Sequence, residues 1–203
     1  MRTKSLKFKV KKIGFLALLF FLGSSLYGDF KILGGLNLSN YSGNENTIWS
    51  YKMGFQGGLG IELDITYRTL FEVDMLFFKK GSRTDPSIGE ERHVLNTMSF
   101  PVLLRSKLFH GTSPYVVGGV EFASIISNIM KQKDEEPVDL EGTLKGLDIS
   151  VVFGGGFEME LREKLFLFIE ARCHLGQRNL LVPPNDDLIR KTKSFVLFIG
   201  IRS

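Results

Sequence analysis

Leu70-Phe71-Glu72-Val73-Asp74-Met75-Leu76-Phe77-Phe78 alternates with a period of two. Phe71, Val73, Met75 and Phe77 fall on one face; Glu72 and Asp74 fall on the other, with Leu70, Leu76 and Phe78. A helix, at about 3.6 residues per turn, would scatter the two acids around its surface, so the stretch reads as a strand with one apolar and one partly charged face. It is the centre of Thr69–Lys80, the third of eight such runs. The others are Phe30–Tyr41, Tyr51–Ile65, Val94–Phe109, Ser113–Asn128, Gly146–Leu161, Leu165–Gln177 and Thr192–Arg202. In the sixth, Ile149, Val151, Phe153, Phe157, Met159 and Leu161 oppose Asp148, Ser150, Gly154, Gly156, Glu158 and Glu160.

The links between runs alternate in length. Thr66-Tyr67-Arg68, His110-Gly111-Thr112 and Arg162-Glu163-Lys164 are tight, whereas residues 42–50, 81–93, 129–145 and 178–191 are long and polar. Tight turns at one end, long loops at the other and an even strand number are the plan of a bacterial outer-membrane barrel. Each run supplies the roughly 9–11 residues that a tilted strand needs to cross the hydrocarbon. Backbone in lipid must pair within the protein, so a sheet spans only by closing on itself. The expected fold is therefore all-β, an eight-stranded antiparallel up-and-down transmembrane barrel.

Composition and charge bound the alternatives. The chain has 203 residues, with 22 Gly, 18 Phe and Cys173 as its one cysteine, which excludes a disulfide scaffold and leaves room for one domain. Its formal charge of +4 comes from the front: Arg2, Lys4, Lys7, Lys9, Lys11 and Lys12 precede an apolar run from Ile13 to Leu22. Basic residues, a short apolar core and a small-residue stretch ending near Gly28 read as a secretory signal peptide, so residues 1–28 are expected to be removed and 29–203 to form the barrel. Without those six cations, 20 basic residues face 22 acidic ones, a net of −2. That mixed balance argues against nucleic acid, which needs a sustained basic stripe.

A soluble lipocalin-like carrier of an apolar ligand would show the same alternation with its faces reversed. Side-chain identity separates the two. Phe55, Leu59, Ile61 and Leu63, then Met98, Phe100, Val102 and Leu104, then Phe195, Leu197, Ile199 and Ile201 make the bulkier apolar face. The opposite face carries Glu62, Asp64, Glu72, Asp74, Arg105, Lys107, Glu121, Glu158, Glu160, Glu170, Arg172 and His174. Both signs are present, so these residues can pair as a structural charge cluster inside a narrow lumen, with Gly54, Gly58 and Gly60 making room. Eight strands leave space for side chains and no open pore.

Gly35-Leu36-Asn37-Leu38-Ser39-Asn40, Gly57-Gly58-Leu59-Gly60-Ile61-Glu62, Phe71-Glu72-Val73-Asp74-Met75-Leu76-Phe77, the run Leu95 to Arg105, and Gly118-Gly119-Val120-Glu121 occur in an order that resembles the PorT-like outer-membrane β-barrel proteins of Bacteroidota and related Gram-negative bacteria. The resemblance covers essentially the whole mature chain. It implies a small eight-stranded outer-membrane barrel of mostly undefined function. The loop asymmetry places the long loops outside the cell, and the expected partners are outer-membrane lipid, the barrel assembly machinery and an envelope protein met by the long loops. One branch of the family is associated with protein secretion and gliding.

Candidate chemistry is sparse. His174 lies near Arg172 and Glu170 on the charged face, and the bland reading, an interior charge cluster, outweighs a hydrolase or acyltransferase acting on lipid or peptide. His93 and His110 read as a loop and a turn residue, and three histidines so far apart have no metal-ligand spacing. Cys173 points to the lipid side and reads as a small apolar residue. The glycine groups at 54–60 and 154–156 lack the helix that must follow a phosphate loop. Asp134, Glu135, Glu136, Asp139 and Glu141 read as a solvated loop, with cation binding or a basic partner as the alternative. Trp49, Ile48 and Tyr51 suit an aromatic girdle. The sequence offers no catalytic, cofactor or metal site, so the expectation is a noncatalytic anchor or interaction module.

Overall fold

The computed structural model describes residues 28–43, 49–84, 91–109, 112–132, 138–139, 146–181 and 189–203. Its long strands are β1 (Asp29–Gly43), β2 (Trp49–Asp64), β3 (Thr69–Thr84), β4 (Glu91–Lys107), β5 (Ser113–Gln132), β7 (Leu147–Arg162), β8 (Leu165–Gly176) and β9 (Arg190–Arg202); the two-residue β6 (Val138–Asp139) pairs on the loop end of β5. Each long strand is antiparallel to its neighbours, in the ring β1-β2-β3-β4-β5-β7-β8-β9. The ring closes where β1 meets β9, from Lys31 opposite Arg202 to Gly43 opposite Arg190. Phe30 and Ser203 complete the seam, each N–H donating to the other's carbonyl at 2.8 and 2.9 Å. The wall therefore has no unpaired edge, which is the condition for crossing lipid.

The tight turns are ordered by their own polar groups. Thr66 Oγ1 accepts from the N–H groups of Arg68 at 3.3 Å and Thr69 at 3.0 Å. The Ser113 hydroxyl accepts from the Phe109 N–H at 3.0 Å. Lys164 takes φ 63° in the two-residue turn from β7 to β8, the left-handed geometry that such hairpins use.

The sequence places the loop ends differently. β3, β4 and β5 continue their ladder beyond the alternating runs, so His93 lies in a strand, opposite Ser82 and Met130, and not in a loop. Backbone pairing does not require apolar side chains, so these strands extend past the apolar band. The expected signal peptide, except Gly28, lies outside the described residues, as do Ile48, His110 and the acidic run apart from Asp139.

The two faces are sorted along the whole wall. Outward, Phe55, Phe77, Leu104, Phe122, Phe153 and Phe195 are exposed, together with Leu197, Ile199 and Ile201. Cys173, half-buried, sits between Phe153 and Phe195 on this face. Inward, Leu33, Leu76, Phe78, Tyr115, Val117, Phe168, Val196 and Phe198 form an apolar cluster, and the rest of the interior is mostly polar or charged, with Leu70, Leu95, Leu103, Ala123 and Val152 interspersed. A lipocalin-like carrier needs the reverse, an apolar cavity inside a polar wall, and this barrel excludes that arrangement. An apolar band encircling the exterior is far larger than the patch of a few hundred Å² that soluble monomers tolerate. Protein extracted in mild detergent is expected to migrate differently on a gel before and after boiling, because the closed wall resists detergent until heated; identical migration would show that no closed barrel formed.

Candidate functional site: a layered polar lumen

The interior residues come from every long strand and form two layers. The layer toward the turns is built from full charges. Arg172 on β8 reaches across to β3, placing Nη2 2.5 Å from Glu72 Oε1 and Nη1 2.8 Å from Asp74 Oδ2, while its Nε donates to Glu170 on its own strand. Lys31 on β1 sits 2.5 Å from Glu72 Oε1, 2.9 Å from Asp74 Oδ1 and 3.7 Å from Glu62 Oε1. Arg105 on β4 joins Glu62 at 2.7 Å to Glu158 at 2.5 Å. Lys107 adds a contact of 2.7 Å to Glu158. Arg202 on β9 donates to Asp29 and lies 3.4 Å from Glu62 Oε2 and 3.3 Å from Glu158 Oε2.

The layer holds together because most of its ions share partners of opposite sign: Lys31, Arg105, Arg172 and Arg202 each meet two or more carboxylates, and Lys107 meets Glu158. Lys31, Arg105, Lys107, Arg172 and Arg202 face Asp29, Glu62, Glu72, Asp74, Glu158 and Glu170, so the charge nearly balances. Aromatic faces complete the cation shells: the guanidinium of Arg105 lies 3.6 Å from the Tyr115 ring centre, that of Arg202 4.1 Å from Phe166 and that of Arg172 4.9 Å from Phe198. Gly60 supplies space. A Cβ there would fall 2.2 Å from Asp74 Oδ1 and 2.7 Å from Lys31 Cε.

The layer toward the loops is mostly hydroxyl, amide and imidazole. Lys80 Nζ and His174 Nδ1 each lie 2.9 Å from a Glu121 carboxylate oxygen, Phe78 meets the His174 ring edge-on at 5.5 Å, and Thr192 donates to Asp148 at 2.6 Å. Register brings Ser150 opposite Glu121 and Ser194 opposite His174. A Ser-His-acid set is therefore assembled from β5, β7, β8 and β9, which sequence separation conceals. Its geometry is not that of a nucleophile and base: neither serine hydroxyl nor His174 Nε2 has a hydrogen-bond partner among the described residues, and His174 is 1% exposed. Among the described residues no group of three or more His, Cys, Asp or Glu side chains is placed to hold a metal ion.

Most of the charged residues singled out from sequence come together here. Two do not: Asp64 and Glu160 have inward parity and are paired in the ladder, opposite Leu70 and Phe166, but lie at the turn end of the wall and are exposed. Conversely, Lys31 and Lys80 are central to the two layers and absent from that set. The alternation carries both, since Lys31 shares the face of Leu33 and Asn37, and Lys80 that of Leu76 and Phe78.

A closed antiparallel barrel with an apolar exterior and a paired-charge interior defines an integral membrane β-barrel. The chain belongs to the family of the outer membrane protein beta-barrel domain, whose model matches residues 24–181. It is thus an outer-membrane protein, surrounded by outer-membrane lipid. Similar solved structures include the outer membrane protein OprG from Pseudomonas aeruginosa, 16% identical with a TM-score of 0.58, covering 87% of this chain and 95% of that one. Neisserial surface protein A is 12% identical with a TM-score of 0.55, covering 85% and 95%. The outer membrane enzyme PagL also matches, 14% identical with a TM-score of 0.44, covering 81% and 97%. No curated protein matches the sequence.

Removing Arg172 strands Glu72, Asp74 and Glu170, whose side chains are fully buried. Arg172→Met is expected to lower the unfolding free energy in lipid vesicles by about 3–5 kcal/mol, the cost of breaking a buried pair. Denaturant titration followed by Trp49 fluorescence measures it, and a loss under about 1 kcal/mol would show that the layer is solvated.

Proposed function

We propose that the protein is a noncatalytic anchor or interaction module of the cell envelope, with its long loops outside the cell and its tight turns and termini in the periplasm. The observation that supports this most directly is the sealed interior: the side chains of Lys31, Glu62, Glu72, Arg105 and Arg172 have no exposure at all. Water moving through an open channel would touch them. The same burial argues against catalysis at His174, because no substrate reaches it. A rigid, plugged wall leaves the loops as the surface that meets a partner protein.

In this reading residues 1–28 direct export and are cleaved, and the barrel assembly machinery inserts residues 29–203. The ordered motifs at 35–40, 57–62, 71–77, 95–105 and 118–121 support a place among the PorT-like barrels. The test uses purified protein in planar bilayers and intact cells. No stepwise conductance is expected, and photoreactive groups placed in 133–145 or 178–188 should crosslink one discrete envelope protein from the outside. Steady channel conductance, or a hydrolytic activity lost in His174→Gln, would overturn the proposal.

A further inference from the structure

The outward row of β9 runs, from the loop side to the turn side, Lys191, Lys193, Phe195, Leu197, Ile199, Ile201. Between them Thr192, Ser194, Val196 and Phe198 are buried in the lumen, which fixes the direction of the row. The two lysines mark the upper end of the apolar band, and neither makes an ion pair with a described residue. No acidic side chain among the described residues points outward from β1, β8 or β9. Arg202, at the turn end of the same strand, is by contrast turned inward and engaged by carboxylates.

Below the lysines, the same three strands form an apolar groove of about 210 Å³, lined by Ile32, Gly34, Leu167, Ile199, Gly200 and Ile201. The groove exists because Gly34, on the outward face between Ile32 and Leu36, carries no side chain. From residue 193 to residue 199 the strand rises ~20 Å at ~3.3 Å per residue. At a tilt of ~45° that is ~14 Å along the membrane normal, about half the ~30 Å hydrocarbon core. A lipid whose headgroup meets the lysines therefore has its chain ends at the depth of the groove.

We propose that the β8–β9–β1 wall is a binding site for one phosphate-bearing lipid of the leaflet on the loop side. Lys191 and Lys193 hold the phosphate, an acyl chain follows Phe195 and Leu197, and its end lies in the groove at Gly34 and Gly200. Among the described residues no carboxylate pairs with either lysine, and the row below them is apolar and exposed. The site does not depend on which compartment the loops face.

Native mass spectrometry of the detergent-solubilised barrel tests this with two probes sharing the same chains: lipid A with its phosphates and lipid A with them removed. The native protein is expected to retain the phosphorylated form about thirtyfold better, given the attraction of two cations near a membrane surface. Lys191→Gln/Lys193→Gln should abolish that preference. Gly34→Leu should weaken both forms alike, since a Cβ at Gly34 meets nothing nearer than the Gln56 carbonyl at 3.9 Å and the added side chain fills the groove without straining the wall. Heat-dependent migration reports that each variant is folded; should the double variant fail to fold, loss of the preference at high salt in the native protein stands in for it. Equal retention of the two probes, a preference insensitive to the lysines and to salt, or unchanged binding in Gly34→Leu would each overturn the site.

Discussion

Every backbone N–H and C=O in the hydrocarbon must find its partner inside the protein, and the rest of this structure follows from that requirement. A single sheet satisfies it only by joining its first and last strands, which β1 and β9 do over their whole length. Closure then divides the side chains into two populations with different solvents. Those pointing out meet lipid, where bulk and apolarity are favourable and a charge is costly. Those pointing in meet only one another, so their chemistry is decided by how well they pair.

The interior resolves the pairing problem with shared ligands. Glu72 serves both Lys31 and Arg172, and Glu158 serves Arg105, Lys107 and Arg202. Such sharing gives most of these charges more than one partner, so removing a shared ion affects several strands at once. Buried ion pairs are often no more stabilising than well-packed apolar residues. Their value here is specificity: Arg172 on β8 bonds across the lumen to β3, and Arg105 on β4 links β2 to β7. These bonds tie strands that the backbone ladder does not connect.

The fold is legible in the sequence because lipid and lumen impose opposite demands on alternating residues. Phe71 and Glu72 alone announce two faces, and the alternation repeats with enough regularity to count strands. Parity also assigns Glu62, Glu72, Arg105 and Arg172 to one interior. Height is less visible. Asp64 and Glu160 have inward parity, but nothing in their neighbourhoods marks that they sit at the rim, where the lumen opens to solvent. Register is not visible at all, and it is register that sets Ser194 beside His174 and Ser150 beside Glu121. Contacts across the barrel, such as Lys80 with Glu121, depend on the tilt of every strand between them.

The seam between β1 and β9 also shapes how the molecule can form. Arg202 and Asp29 are separated by 173 residues, so their contact can be made only when all intervening hairpins are in place. Loop closure over such a span is entropically unfavourable and brings no reward until it is complete. Until then two strand edges stand open, each able to capture a foreign strand. The barrel is therefore all-or-none: a chain missing either flank of the seam has no smaller closed sheet to fall back on in lipid.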